Sequence, residues 1–175
     1  MTKILVVGGD STVGARLVET LCDTHEHVIY NTTRKAVQHR YQLHFDLLNP
    51  ILPNDTEFGL IYLVAAITGI MGCEVNPESW RVNADGPAQL ALQAVHGSPF
   101  GTRPPHVVFI SSDAVELAPG LAYSMQKAYA ESVILPLGGT VVRPARIFPE
   151  KLDNLVELLI DVGINRKSGL HRWEG

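Results

Sequence analysis

Tyr123 and Lys127 are spaced four residues apart in Tyr123-Ser124-Met125-Gln126-Lys127. On a helix that spacing puts them one turn apart on one face. A lysine cation beside a phenol lowers the phenol's pKa, so the tyrosine can exchange a proton near neutral pH. Taken alone, the pair reads better as a surface aromatic with a charged neighbour. Two more polar residues bear on it. Ser112 follows the apolar run His106–Ser111 and stands eleven residues before Tyr123. The short Pro119-Gly120-Leu121-Ala122 segment between them returns the chain over the sheet edge. Asn83 falls inside a helical stretch, where asparagine is disfavoured unless its side chain has a partner or faces solvent. The chemistry that such a set offers is proton transfer at a substrate oxygen.

A second group could hold an anion. Gly8 and Gly14 bracket Gly8-Gly9-Asp10-Ser11-Thr12-Val13-Gly14, directly after the strand-like Lys3–Val7. Glycine at the first position permits a sharp turn, and Gly14 lets the following helix pack close to the sheet. Thr12 and Val13 then open a helix whose free N–H groups and positive dipole end suit a pyrophosphate. Ser11 stands where a middle glycine is usual, and its hydroxyl can donate to a phosphate. Asp10 is an awkward neighbour for an anion unless it points away or caps the helix. The bland alternative is a tight turn that binds nothing. About twenty residues on, NAD-binding turns carry an acid for the ribose 2′-hydroxyl. This chain has Asn31-Thr32-Thr33-Arg34 there. An arginine with hydroxyls, Thr33 among them, suits the 2′-phosphate of NADP.

The elements that must position these groups alternate. Continuous β-rich runs mark strands at Lys3–Val7, His27–Thr32, Gln42–Asp46, Leu60–Ala65, His106–Ser111 and Thr140–Arg143. Helical periodicity covers Thr12–Thr24, Glu78–Val95, Ala122–Leu137 and Leu152–Ile164, with a weakly helical link before the third strand. Loops are expected over Leu47–Glu57 and Gly97–Pro105, and a polar tail over 165–175. The alternation predicts an α/β, doubly wound parallel sheet of the Rossmann type. About six strands are expected, in the order 3-2-1-4-5-6, with helices on both faces. Ligands in such sheets bind outside the carboxyl ends of the strands where the order reverses, here between strands one and four.

The 175 residues make one domain, 1–175, with a core large enough to need neither disulfide nor metal. A 46% hydrophobic content and a net charge of −4 exclude a disordered chain and a basic nucleic-acid surface. No apolar run reaches a membrane span, and no cleavable signal precedes the first strand. Two cysteines and seven scattered histidines lack metal-ligand spacing, so no metal is expected. These absences suggest a cytoplasmic protein. The helices that carry Asn83 and Tyr123 could pair two copies into a homodimer, or simply cover the sheet.

The order and spacing of these pieces resemble the short-chain dehydrogenase/reductase superfamily from Lys3 to about Phe148. The matching pieces are the glycine turn, Phe45-Asp46-Leu47, Val64-Ala65-Ala66, Val82-Asn83 with Gly86, Ile110-Ser111-Ser112, Tyr123 with Lys127, and Val142-Arg143-Pro144. The Gly-x-x-Ser-x-x-Gly turn, the Val-Ala-Ala strand end and Val-Arg-Pro-Ala-Arg are most similar to the extended branch. That branch holds NAD-dependent epimerases, dehydratases and sugar-nucleotide reductases. The resemblance implies an NAD(P) cofactor and a catalytic tetrad of Asn83, Ser112, Tyr123 and Lys127. Tyr123 would be the general acid/base, and Lys127 would tune it and bind the nicotinamide ribose. Ser112 would orient the substrate oxygen, and Asn83 would support a proton-relay water. It also implies that Asp46, with Leu47, meets the adenine, that Ala65 and Ala66 lie beside the ribose and nicotinamide, and that Pro144 lies beside the carboxamide. The extended branch continues past strand six into a substrate lobe that this sequence lacks, and its loop before the tyrosine is longer. Two functions therefore fit: an oxidoreductase acting on a carbonyl or alcohol, and a non-catalytic NAD(P)-binding or regulatory protein.

Overall fold

A computed structural model describes residues 1–53, 57–98 and 103–175. The expected loops over Leu47–Glu57 and Gly97–Pro105 lie partly outside them. Among the described residues, seven strands form one parallel sheet: β1 (Lys3–Val7), β2 (Val28–Thr33), β3 (Gln42–His44), β4 (Leu60–Leu63), β5 (His106–Ile110), β6 (Thr140–Pro144) and β7 (Gly169–Trp173). Their order is β3-β2-β1-β4-β5-β6-β7, so the order reverses between β1 and β4 as the alternation predicts. The helices are α1 (Thr12–Asp23), α2 (Ile70–Val75), α3 (Gly86–His96), α4 (Ala114–Leu117), α5 (Ala122–Ile134) and α6 (Leu152–Ile164).

Strand side chains alternate between two cores, which is why these runs are apolar throughout. Leu5, Val7, Ile61, Leu63, Val107, Phe109 and Val141 face a layer that includes Leu90, Ala91 and Ala94 of α3 and Ala130 and Ile134 of α5. Ile4, Val6, Leu60, Tyr62, Val108, Ile110 and Val142 face Leu17 and Leu21 of α1 and Leu155, Leu159 and Val162 of α6. Tyr62 is fully buried and donates its hydroxyl hydrogen to Leu159 O at 3.1 Å. A Cβ at Gly163 would stand 2.2 Å from that hydroxyl, so α6 needs glycine there to lie this close.

Three expectations are corrected. The tail is not a loose polar segment, because Gly169–Trp173 adds a seventh strand, with Thr140 opposite Gly169 and Pro144 opposite Trp173. It is an edge strand whose exposed and covered residues alternate, so it lacks the continuous apolar signature of the buried strands. The link between β2 and β3 holds no helix. Short helices α2 and α4, too brief for a periodic pattern, fall where no element was expected. Among the described residues, no helix is long and apolar enough to cross a membrane.

Candidate active site

The carboxyl ends of β1, β4, β5 and β6 bring the two groups of residues to one edge. Gly8 follows β1 with φ +92°, a conformation open to glycine. A Cβ there would lie 2.6 Å from Ala65 N, so the turn rests directly on the end of β4. Val7 O accepts from both Val64 N (3.0 Å) and Ala65 N (2.9 Å), which fixes Ala65 and Ala66 beside the turn. Gly14 lies against Gly8 O, where a Cβ would stand 2.1 Å away. Pro144 ends β6, and its carbonyl accepts from Asp113 N at 3.1 Å, next to Ser112.

Ser11 plays a different part from the one its sequence position suggests. It is the N-cap of α1: its hydroxyl donates to Gly8 O at 2.7 Å and accepts from Gly14 N at 3.1 Å. Its one proton therefore closes the turn and is not offered to a phosphate. The donors left over are the first-turn N–H groups of Thr12 and Val13, which have no partner among the described residues. The amide oxygen of Asn31, packed against Gly9, is buried and also without a partner. Free donors at a helix start and an unfilled acceptor beside them fit the pyrophosphate and ribose of a dinucleotide.

The end of β2 differs from expectation too. Thr32 accepts from Gly8 N at 2.9 Å and holds the turn. Thr33 donates its hydroxyl hydrogen to Asp10 Oδ2 at 3.2 Å. Neither hydroxyl is free for a 2′-phosphate in the way the sequence suggests. Arg34 is exposed and makes no hydrogen bond or ion pair among the described residues. Asp46 uses one oxygen to accept from Leu48 N at 3.0 Å. Leu47 is a core residue, and its carbonyl lies where a Cβ on Gly86 would intrude, at 2.6 Å.

The four polar residues of the tetrad fall into two shells of one cluster. Tyr123 and Lys127 are on one face of α5, with Lys127 Nζ 5.8 Å from the Tyr123 ring centroid. Lys127 is buried and donates to Ile110 O at 2.8 Å, and its ammonium lies 4.6 Å from the Phe109 ring centroid. Burial brings that ammonium down to about 8. Burial pushes the Tyr123 phenol up to about 12, outweighing the Ser112 hydroxyl, which acts in the lowering direction. In this arrangement Lys127 is turned to the β5 carbonyl and does not lower the phenol, which holds its proton at neutral pH. Ser112 accepts from Ala114 N at 3.2 Å and starts the short α4.

Asn83 lies deeper, fully buried in a π-helical turn, Arg81–Asp85, that runs into α3. The wide turn bonds Gly86 N to Arg81 O. Such turns recur at functional sites. The Asn83 amide accepts from Ile67 N at 2.8 Å and donates to Ile67 O at 2.9 Å, bracketing the segment that leaves β4. It also donates to Gln126 Oε1 at 2.9 Å. Gln126 donates on to Ser79 (2.8 Å), and Ser79 to Cys73 O (2.8 Å). Cys73 Sγ, 3.4 Å from Asn83 Nδ2, lies close enough to Tyr123 to act on its charge. Sequence reasoning missed Gln126, Ser79 and Cys73. Gln126 carried a signal, since it stands between Tyr123 and Lys127 on a helix that must bury both. A cavity lies at the opposite edge, between Lys3, Leu52, Phe58 and Gln93, and is lined by none of these residues.

No family model matches the chain, and no curated protein matches it. Solved structures do. A hypothetical dTDP-4-dehydrorhamnose reductase from Sulfolobus tokodaii superposes with a TM-score of 0.78 at 18% identity, over 99% of this chain and 76% of that one. The Bordetella bronchiseptica enzyme WbmH, in complex with NAD+, superposes with a TM-score of 0.74 at 13% identity, over 99% and 75%. A short-chain dehydrogenase/reductase superfamily protein from Agrobacterium tumefaciens, with bound NAD, gives 0.68 at 16%, over 93% and 63%. The chain has the Rossmann-type fold of these proteins and spans less than their full length.

Proposed function

We propose that this protein is an NAD(P)-dependent oxidoreductase of the short-chain dehydrogenase/reductase type, acting on a carbonyl or alcohol group of a sugar nucleotide. The observation that carries the reading is the convergence of Tyr123, Lys127 and Ser112 on the edge where Gly8 rests against Ala65. Similarity of fold to a sugar-nucleotide reductase supports the substrate class. A bound nicotinamide would supply or accept the hydride at the substrate carbon. The Tyr123 phenol, kept protonated by burial, delivers a proton to a carbonyl oxygen being reduced and takes it back in the reverse direction. Ser112 orients that oxygen from the end of β5. Lys127 supplies buried positive charge for the nicotinamide ribose, and Asn83 holds the Ile67 segment that leaves β4. Thr12, Val13 and the glycine turn take the pyrophosphate.

Arg34 at the end of β2 supports NADP, and Asp10 moored to the same strand end supports NAD. Two free thiols suit action in a reducing compartment such as the cytoplasm. We further propose a homodimer through the helices of Asn83 and Tyr123, whose outer faces expose Trp80, Met125 and Tyr129. A cofactor-binding protein without turnover is the second reading, favoured by the engagement of Lys127 with Ile110 O. Tyr123→Phe separates the two. Turnover of a carbonyl substrate should fall at least about 100-fold while cofactor affinity, measured by calorimetry, stays within about threefold. Unchanged turnover would remove the catalytic role of Tyr123.

A further inference from the structure

The end of β2, Asn31-Thr32-Thr33-Arg34, contains no acid, yet the structure puts one there. Asp10 comes from the glycine turn, and its Oδ2 accepts from the Thr33 hydroxyl at 3.2 Å. Thr33 is buried and is the last residue of β2. Its hydroxyl oxygen also accepts from Lys35 N at 3.0 Å, so the group that holds Asp10 is itself fixed. In dinucleotide-binding sheets an acid at this strand end hydrogen-bonds the ribose 2′-hydroxyl. It ordinarily belongs to the strand or the loop after it. Here the turn that faces the pyrophosphate supplies it.

We propose that Asp10 reads the adenosine ribose and makes this protein select NAD over NADP. The proposal rests on the dinucleotide reading above. A carboxylate accepts hydrogen bonds from a 2′-hydroxyl, whereas a 2′-phosphate brings close to two negative charges against it. Arg34 adjoins the same place with the opposite sign. Two observations give Asp10 the larger effect. Both side chains are exposed, but the Asp10 carboxylate is already held by Thr33, while Arg34 has no partner among the described residues and must be ordered to act. Asp10 also belongs to the turn itself, so its distance from the pyrophosphate is set by the same backbone.

The test is a calorimetric titration of the full chain with NADH and with NADPH, repeated for Asp10→Asn and Arg34→Ala. The expected result is that the unmodified protein binds NADH about tenfold or more tighter than NADPH. Asp10→Asn should narrow that ratio to within about threefold, chiefly by tighter NADPH binding. Thr33→Val, which frees the carboxylate, should narrow it partway. Preference for NADPH in the unmodified protein, lost in Arg34→Ala, would overturn the proposal and leave the dinucleotide reading intact. An unchanged ratio in Asp10→Asn would overturn it too. Binding of neither cofactor would overturn the dinucleotide reading, and this proposal with it.

Discussion

His106 opens β5 and is 6% exposed. Its Nε2 lies 2.8 Å from Thr140 Oγ1, and that hydroxyl donates its proton to Lys167 O at 2.7 Å. Thr140 must therefore accept, which makes the neutral ring the Nε2–H tautomer. Charging the ring would add a buried cation. Burial, helped by Arg166 and Arg103, lowers its pKa from 6.5 to about 4. The unfolded chain then binds a proton that the folded chain refuses. Stability from this residue is complete above about pH 6.5 and is lost as pH falls toward 4. The expected loss is about 2 kcal/mol. Urea unfolding at pH 7.5 and 4.5 should show His106→Gln losing less stability than the unmodified protein over that interval. Equal losses would mean that His106 does not titrate as described.

At the level of elements, the sheet edge that carries Ser112 and Pro144 is held by an ion-pair chain behind it. Glu131 follows Lys127 by one turn of α5 and is 4% exposed. It accepts from Ser111 at the end of β5 and from Arg143 in β6, with Arg143 Nε at 2.8 Å. Arg143 also pairs with Glu116 of α4, and Glu116 with Arg172 of β7. One carboxylate thus ties together the strand ends that present Ser112 and Pro144. Removing it leaves Arg143 with its main buried partner gone. Glu131→Gln should cost about 3 kcal/mol, read as a lowered urea midpoint. The double change Glu131→Leu with Arg143→Met should cost less than the single one, because it leaves no lone buried charge. A single variant as stable as the unmodified protein would show that the pair does not hold these strand ends.

For the whole molecule, α5 and the start of the helical turn before α3 expose three large side chains. Trp80 and Tyr129 are 41% and 42% exposed, with ring centroids 5.6 Å apart, and Met125 lies one turn from Tyr129. Two copies packed through this face would bury all three side chains of each. Sedimentation at micromolar concentration should show a dimer, and Tyr129→Asp should shift it toward monomer. A monomeric unmodified protein would end that assignment.

The alternation of strands and helices, the strand order as far as β6, and the edge at which the glycine turn and the tyrosine helix meet are all legible in the residues. Those are carried by continuous apolar runs, helical periodicity and glycine positions, all local signals. β7 was not legible, because an edge strand with one covered face needs no continuous apolar run. What each polar atom does depends on how the chain packs. The Ser11 hydroxyl closes the turn, Lys127 faces Ile110 O, and Asn83 brackets Ile67. Asp10 reaches a strand end 23 residues away, so the acid sought along β2 lies beside it in space and far from it in sequence. Hydrogen bonds have direction and limited capacity, and spacing along a chain does not reveal which partner takes a proton that several could accept.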